Sequence, residues 1–250
     1  MKNIKKGLLY SLGFFLVYLV FVIAIAPANK LVAMVELPQD VVLHGVAGSV
    51  WAGEAQSMST SNYEIKDVDW RLSFLSLLTM SPSADINFGR SPRLGPTGSL
   101  TIRNDHPLVG FHNADIKIEA SRIVDLVTLP LDMQASGLVS IDLHKFITGK
   151  QVCSEVDGEI FWQQASINAF DEKVELGNFK GKLRCENDSL EITVDPDNNL
   201  GLELSVFIRQ RGRVAAQGYL TPGPEFPENA RSILGFLGNK DAQGRYRIRI

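Results

Sequence analysis

The sequence predicts a mainly β protein: an extended antiparallel, twisted sheet with few short helices, preceded by one N-terminal transmembrane helix. Three observations carry this reading. An uncharged apolar run lies near the N-terminus, the period changes from helical to alternating near Val41, and glycines repeatedly lead into alternating or apolar residues. The chain then divides into a cytoplasmic N-terminus at residues 1–6, a transmembrane helix at 7–26, a connecting segment at 27–40 and an exported β-rich domain at 41–250.

Gly7 to Ala26 is twenty residues without a charge. At ~1.5 Å per residue, a helix of that length spans a hydrocarbon core of ~30 Å. Thirteen of the twenty are Leu, Ile, Val or Phe. At roughly −0.4 kcal/mol each they favour insertion by about 5 kcal/mol. A cleaved signal peptide is the competing reading, because Ala24-Ile25-Ala26 and Ala26-Pro27-Ala28 offer small-x-small patterns. The run is longer than a signal core, and Pro27 would obstruct the first candidate cut, so a retained anchor is preferred. Lys2, Lys5 and Lys6 precede the span and only Lys30 follows it closely, which places the N-terminus in the cytoplasm and exports the body.

Composition narrows the function classes. The apolar fraction of 45% with 21% charged residues is that of a packed globule, not a disordered chain. Residues 1–30 hold four lysines and no acid, so the remainder has 21 basic against 28 acidic residues, a net of −7 behind the overall −3. Such a body repels polyphosphate, and nucleic acid is excluded as a partner. Cys153 and Cys185 are the only cysteines, and export makes a disulfide between them the expectation, with two buried free thiols as the alternative. Neither belongs to a Cys-x-x-Cys pair or has a His nearby, which argues against zinc.

After the anchor, Lys30 to Leu37 reads as a short helical extension stopped by Pro38. Seven glycine-led segments follow, starting at Gly98, Gly137, Gly158, Gly181, Gly201, Gly218 and Gly244, and each reads as the beginning of a strand. The sum is an antiparallel meander with one apolar face. Short helices are expected at Trp70–Leu78, Arg122–Val127 and Pro227–Leu237, and a proline-dotted loop at Ser81–Thr97. The last strand, Arg245–Ile250, sets Tyr246, Ile248 and Ile250 on one face and Arg245, Arg247 and Arg249 on the other, a cationic face suited to an edge and to a partner. Gly158-x-x-x-Trp162 loosely echoes Gly48-x-x-Trp51, a weak hint of two similar halves.

Motifs of catalysis are missing. Gly48-x4-Gly53 has the glycine spacing of a phosphate loop, but Glu54 stands where the lysine must be. Asp195-x-Asp197-x-Asn199 begins like a calcium loop, yet has Leu200 in place of glycine and Val206 in place of the bidentate Glu, so a solvated turn is expected. His44, His106, His112 and His144 are scattered, and no nucleophile elbow or His-Glu-x-x-His is present. No catalytic residue, metal ligand or cofactor is assigned.

The stretch Leu43-His-Gly45-Val-Ala-Gly48-Ser-Val-Trp51-Ala-Gly53-Glu-Ala55, followed by Val68-Asp69-Trp70, resembles the signature of the type II secretion system protein N family. Gly158 to Trp162 and the closing Leu237-Gly238-Asn-Lys-Asp241-Ala-Gln-Gly244-Arg245 segment extend the resemblance over the chain. It implies a non-catalytic, single-pass inner-membrane accessory of the machine that moves folded periplasmic proteins across the outer membrane. The implied partners are other subunits of that machine. Read from the residues alone, Gly45, Gly48 and Gly53 are tight turns, while Trp51, Trp70 and Trp162 are core fillers whose indole N–H needs an acceptor. A second reading comes from shape: a meander with one apolar face can curl into a groove that holds a lipid chain, as in AsmA-like lipid-handling proteins.

The topology is testable. A reporter active only in the periplasm, fused after residue 40, should give signal; a silent periplasmic reporter beside an active cytoplasmic one would reverse the orientation.

Overall fold

The computed structural model describes residues 2–32, 41–60, 63–124, 134–169, 172–224, 226, 231, 234 and 238–249. Helices α1 (Lys2–Ala24) and α2 (Ala28–Val32) precede the short strands β1 (Val42–His44) and β2 (Ala47–Gly48). Then come β3 (Ala52–Ser59), β4 (Glu64–Leu72), α3 (Phe74–Leu78), β5 (Ser83–Phe88), β6 (Thr97–Asp105), β7 (Leu108–Glu119) and α4 (Ala120–Val124). The longest strands, β8 (Gln134–Thr148), β9 (Cys153–Ala169) and β10 (Glu172–Glu186), are followed by β11 (Ser189–Val194), β12 (Leu202–Ile208), β13 (Val214–Leu220) and β14 (Tyr246–Arg249).

All fourteen strands form one sheet, each following strand pairing with the last, except that β1 and β2 both pair with β3. Every pairing is antiparallel. The period of two is carried from strand to strand. Directly opposed residues from β3 to β14 run Ala55, Val68, Phe88, Gly98, Ile116, Ile141, Ile160, Gly181, Val194, Leu204, Gly218 and Ile248. Every member is apolar or glycine. One residue away, on the other face, the line reads Glu54, Asp69, Asn87, Ser99, Asp115, Asp142, Glu159, Lys182, Thr193, Ser205, Gln217 and Arg249. Every member of that line is polar, so the meander with one apolar face is as expected.

The apolar face is covered in part: Ala55, Val68, Phe88 and Gly181 on the line are buried and its other members half-buried. Four clusters of buried residues lie along it in place of one central core. Tyr63, in the β3–β4 turn, packs on the cluster of Ile118, Ala120, Ala135 and Val139, so the hairpin leans over strands β7 and β8. Phe226 and Leu234 are buried against Ala165, Val174, Leu176 and Leu220. Register shifts beside Gly137, Gln164 and Gly177 lie next to one another across β8, β9 and β10, where bulges sharpen the local twist.

Several sequence readings need correction. Gly201 and Gly244 do precede strands, and Gly98 lies at the start of β6, but Gly137, Gly158, Gly181 and Gly218 lie inside β8, β9, β10 and β13. At Gly218 a Cβ would strike the Glu203 carbonyl and come within 2.8 Å of the Leu204 Cα, so close approach of the backbones, not a turn, calls for glycine there. The loop assigned to Ser81–Thr97 contains β5, whose Ala84, Ile86 and Phe88 alternate inward; the prolines at 82, 92 and 96 only flank it. The helical turn is confined to α3, since Trp70 to Leu72 complete β4, and α4 begins two residues before the expected Arg122. Trp51 lies between strands and Trp162 within β9, so the two Gly-Trp segments are not structural repeats. The expected helices' residues 33–37, 125–127 and most of 227–237 lie outside the described residues, as does Ile250.

Helix α1 covers 2–24, not 7–26. Pro27 disfavours helix at the residue before it, and it forms a bridge with Ser49. Among the described residues, whose side chains in α1 begin at Tyr10, no helix is long and apolar enough to cross a membrane, so the expected span is not established by the structure.

Cys153 and Cys185 are bridged, with Cα atoms 6.0 Å apart, tying the start of β9 to the end of β10 beside buried Val156 and Leu183. The cysteines are 32 residues apart. Reducing the bridge should lower the unfolding free energy by about 3–4 kcal/mol in the loop-entropy picture. Urea titration with and without reductant reads this directly, and coincident midpoints would show that the bridge does not constrain the unfolded chain.

Candidate functional site

Two of the three tryptophans gather where helix meets sheet. The Trp51 indole donates to the Ile23 carbonyl in the last turn of α1 at 2.8 Å, and the Trp70 indole donates to the Val50 carbonyl at 3.2 Å. The Val50 amide donates to the Ala26 carbonyl at 3.1 Å, and that of Leu72 to the Trp51 carbonyl at 2.8 Å. Gly48, at φ 83°, takes the left-handed turn that returns the chain into β3. Gly53 lies directly opposite Trp70, and a Cβ there would collide with the indole, so the missing side chain lets the ring lie across β3. Gly45, at φ 64°, turns the chain between β1 and β2. The Leu43–Ala55 motif is therefore the joint that fixes the end of α1 to the sheet.

The second motif lines a hollow on the apolar face. Trp162 packs near Phe179 with ring centroids 5.7 Å apart, and its indole donates to the Ser136 carbonyl at 3.0 Å. Gly158 lies opposite Leu143 and Leu183 in the neighbouring strands. Beside Trp162 and Phe179, side chains including Ile160, Leu176, Ile192, Val194, Leu202 and Leu204 line an open apolar cavity of about 270 Å³.

The third motif launches the terminal strand. Asp241 accepts from the Gln243 amide at 3.0 Å, the Arg245 amide at 2.8 Å and the Arg245 guanidinium at 2.9 Å. These bonds hold its carboxyl below the usual carboxylate range, the Arg245 backbone bond being the largest cause. Arg245 also stacks over the Tyr219 ring at 3.9 Å. It is thus committed to the turn, whereas Arg247 and Arg249 stand exposed on β14 with no ion pair among the described residues. β14 pairs with β13 on one side and is the last strand of the sheet.

The remaining polar residues do not converge. His44, His106 and His144 are exposed, and His112 shares a hydrogen bond of 2.7 Å with Asp105, not with another histidine. Asp195 takes the Asp197 amide, and Asn198 ties together the backbone of Asp195, Leu200 and Leu202, a side-chain-stabilised turn. Among the described residues no group of three or more His, Cys, Asp or Glu is placed to hold a metal ion. Sequence reasoning missed the apolar connection between β4 and β5, whose Phe74 ring meets Trp51 at 5.6 Å. Its signal was available: no charged residue lies between Arg71 and Asp85.

The fold defines a class, an open antiparallel meander joined at one end to an N-terminal helix. Residues 39–249 match type II secretion system (T2SS), protein N, and the chain belongs to that family. It is 28% identical over 249 residues to the type II secretion system protein N of Aeromonas hydrophila, covering 98% of each chain. It is 24% identical over 245 residues to that of Vibrio cholerae serotype O1, covering 97% of this chain and 96% of the relative. With that of Pectobacterium carotovorum subsp. carotovorum the identity is 25% over 243 residues, or 97% and 95% of the two chains. No solved structure matches the chain.

The Asp241 turn carries a pH dependence of known sign. A carboxyl held below its unfolded value stabilises the folded turn fully above the ordinary carboxylate pKa, and that stabilisation is lost as pH falls through the lowered value. Asp241→Ala should therefore speed amide exchange in Tyr246–Arg249 at neutral pH. The difference from the parent should shrink in strong acid; equal exchange rates at neutral pH would show that the turn does not hold β14.

Proposed function

We propose that this protein is a non-catalytic, inner-membrane accessory of type II secretion, with α1 as its anchor and its β body in the periplasm, binding other subunits of that machine. The observation that carries the reading is the family match over residues 39–249, shared with relatives named as type II secretion system protein N across nearly their whole length. The anchor is supported by α1 itself. Phe14, Phe15, Tyr18 and Phe21 are exposed around it, and each such side chain left in water forfeits about 1.5–3 kcal/mol of burial. With Leu8 and Leu9 ahead of them, they complete the uncharged run of Gly7 to Ala26.

Tethering confines the body near other anchored subunits and raises their effective concentration, so individually weak contacts suffice. The surface proposed for those contacts is the terminal edge, where β14 has no partner strand on its outer side among the described residues and carries Arg247 and Arg249, with Arg245 bracing the turn beneath. The apolar cavity beside Trp162 favours a second reading, a lipid chain held in the curl of the sheet.

One experiment separates the two. Photocrosslinkers placed at Arg247 and Arg249 in cells should capture secretion subunits, and deletion of the gene should reduce exoprotein release. No captured subunit, unchanged release and lipid co-purifying in stoichiometric amount with the protein would replace the first reading with the second.

A further inference from the structure

We propose that the connection between β4 and β5, residues 73–82, is a second membrane contact: an apolar foot resting in the lipid interface beside the exit of α1. The inference deepens the reading of α1 as an anchor and rests on it.

The connection is uncharged and turns four large apolar side chains outward. From Leu72 to Ala84 no residue is charged, with Arg71 and Asp85 as the flanking ions. Phe74 is 59% exposed, Leu75 73%, Leu77 39% and Met80 90%. Beyond Ile25, the other exposed large apolar side chains among the described residues are Val42, Leu94, Val109 and Val214, which lie apart in sequence. Single exposed apolar residues are ordinary, whereas four within seven positions mark a contact surface. Met80 is also held at φ 57°, a backbone region that favours glycine.

The hydroxyls meanwhile turn to the backbone. Ser76 Oγ donates to the Ser73 carbonyl at 2.6 Å and accepts from the Ser83 amide at 2.9 Å, while Thr79 Oγ1 donates to the Ser76 carbonyl at 3.0 Å. Amides of Ser73, Met80 and Ser81 donate to the carbonyls of Ser83, Leu77 and Ser76 at 2.9, 3.2 and 3.0 Å. A loop entering a water-poor interface gains by pairing such groups internally, and these bonds pair the Ser76 and Thr79 hydroxyls and the amides of Ser73, Met80, Ser81 and Ser83 within residues 73–83.

Its position selects the occupant. The Phe74 ring meets the Trp51 ring edge-on at 5.6 Å, and the Trp51 indole is bonded to Ile23, in the last turn of α1. The foot therefore sits where the helix leaves the bilayer, with a tryptophan at the level where indoles partition to the membrane interface. An uncharged surface continuous with a membrane helix fits lipid. A lone helix leaves the body free to swivel, whereas a helix and a foot together fix which way the curled sheet faces.

The test uses the full chain in vesicles of phosphatidylethanolamine and phosphatidylglycerol. Val17, Leu75, Met80 and Gln217 are replaced by Cys one at a time and labelled with a nitroxide, the native cysteines being held in their disulfide. Accessibility to dissolved oxygen is then compared with accessibility to a water-soluble nickel chelate. Leu75, Met80 and Gln217 are exposed, so these replacements leave the core intact. An unchanged circular dichroism spectrum verifies it. Labels at 17, 75 and 80 should favour oxygen, with nickel access several-fold below that at 217. Oxygen preference at 17 but nickel access at 75 and 80 equal to that at 217 would refute the foot and leave the anchor standing. Nickel access at 17 as well would overturn the anchor reading, and the foot with it.

Discussion

The structure depends on register. One line of apolar or glycine residues passes from Ala55 in β3 to Ile248 in β14 without a polar member. In a sheet with a side-chain period of two, a slip of one residue in any hairpin would send every later strand's apolar set to the polar face. The bulges obey the same constraint. Trp162 and Ala165 both face the apolar side although they are three residues apart, and so do Leu176 and Phe179 in the neighbouring strand. An irregularity in β9 is answered in β10, and the line beyond them is preserved.

This explains what could be read from the sequence. The alternation after Val41, the apolar run and the cysteine pair were all visible, because each depends on a local pattern or on composition. Strand lengths were not, because Gly158 and Gly181 look like strand starts until their neighbours show Gly181 to belong to the apolar line and Gly158 to lie two residues from its β9 member, opposite Leu143 and Leu183. The bulges shift the alternation at Gln164 and Gly177, so period counting breaks one long strand into pieces there. The joint was legible only as a resemblance. That Gly53 makes room for Trp70 depends on their being opposite one another across β3 and β4, a tertiary fact that spacing does not encode.

That joint gives the two tryptophans distinct duties. Trp70 fills the space over Gly53 and reaches the Val50 carbonyl, which locks the loop preceding β3. Trp51, carried by the same loop, takes the Ile23 carbonyl, one of the helix-end acceptors that has no partner within α1. Loop, helix end and sheet are thus linked in series through backbone carbonyls. The same loop meets α3, in the connection from β4 to β5, through the contact of Trp51 with Phe74.

The sheet's outline bears on how it meets other proteins. The central strands β8 and β10 are 15 residues long and β9 is 17, while β1 has 3 and β14 has 4. Long central strands supply the buried area; the shortness of both edges, and the charges of Arg247 and Arg249 on β14, limit uncontrolled pairing with other chains. An added strand could find only a few backbone bonds at β14, each worth about 0.5–1.5 kcal/mol net. Such an edge alone binds weakly. It becomes useful where partners are already concentrated and oriented, and on the proposed reading of α1 as an anchor both conditions would be met: the helix would restrict the body to a plane, and the joint would restrict the direction in which the edge points.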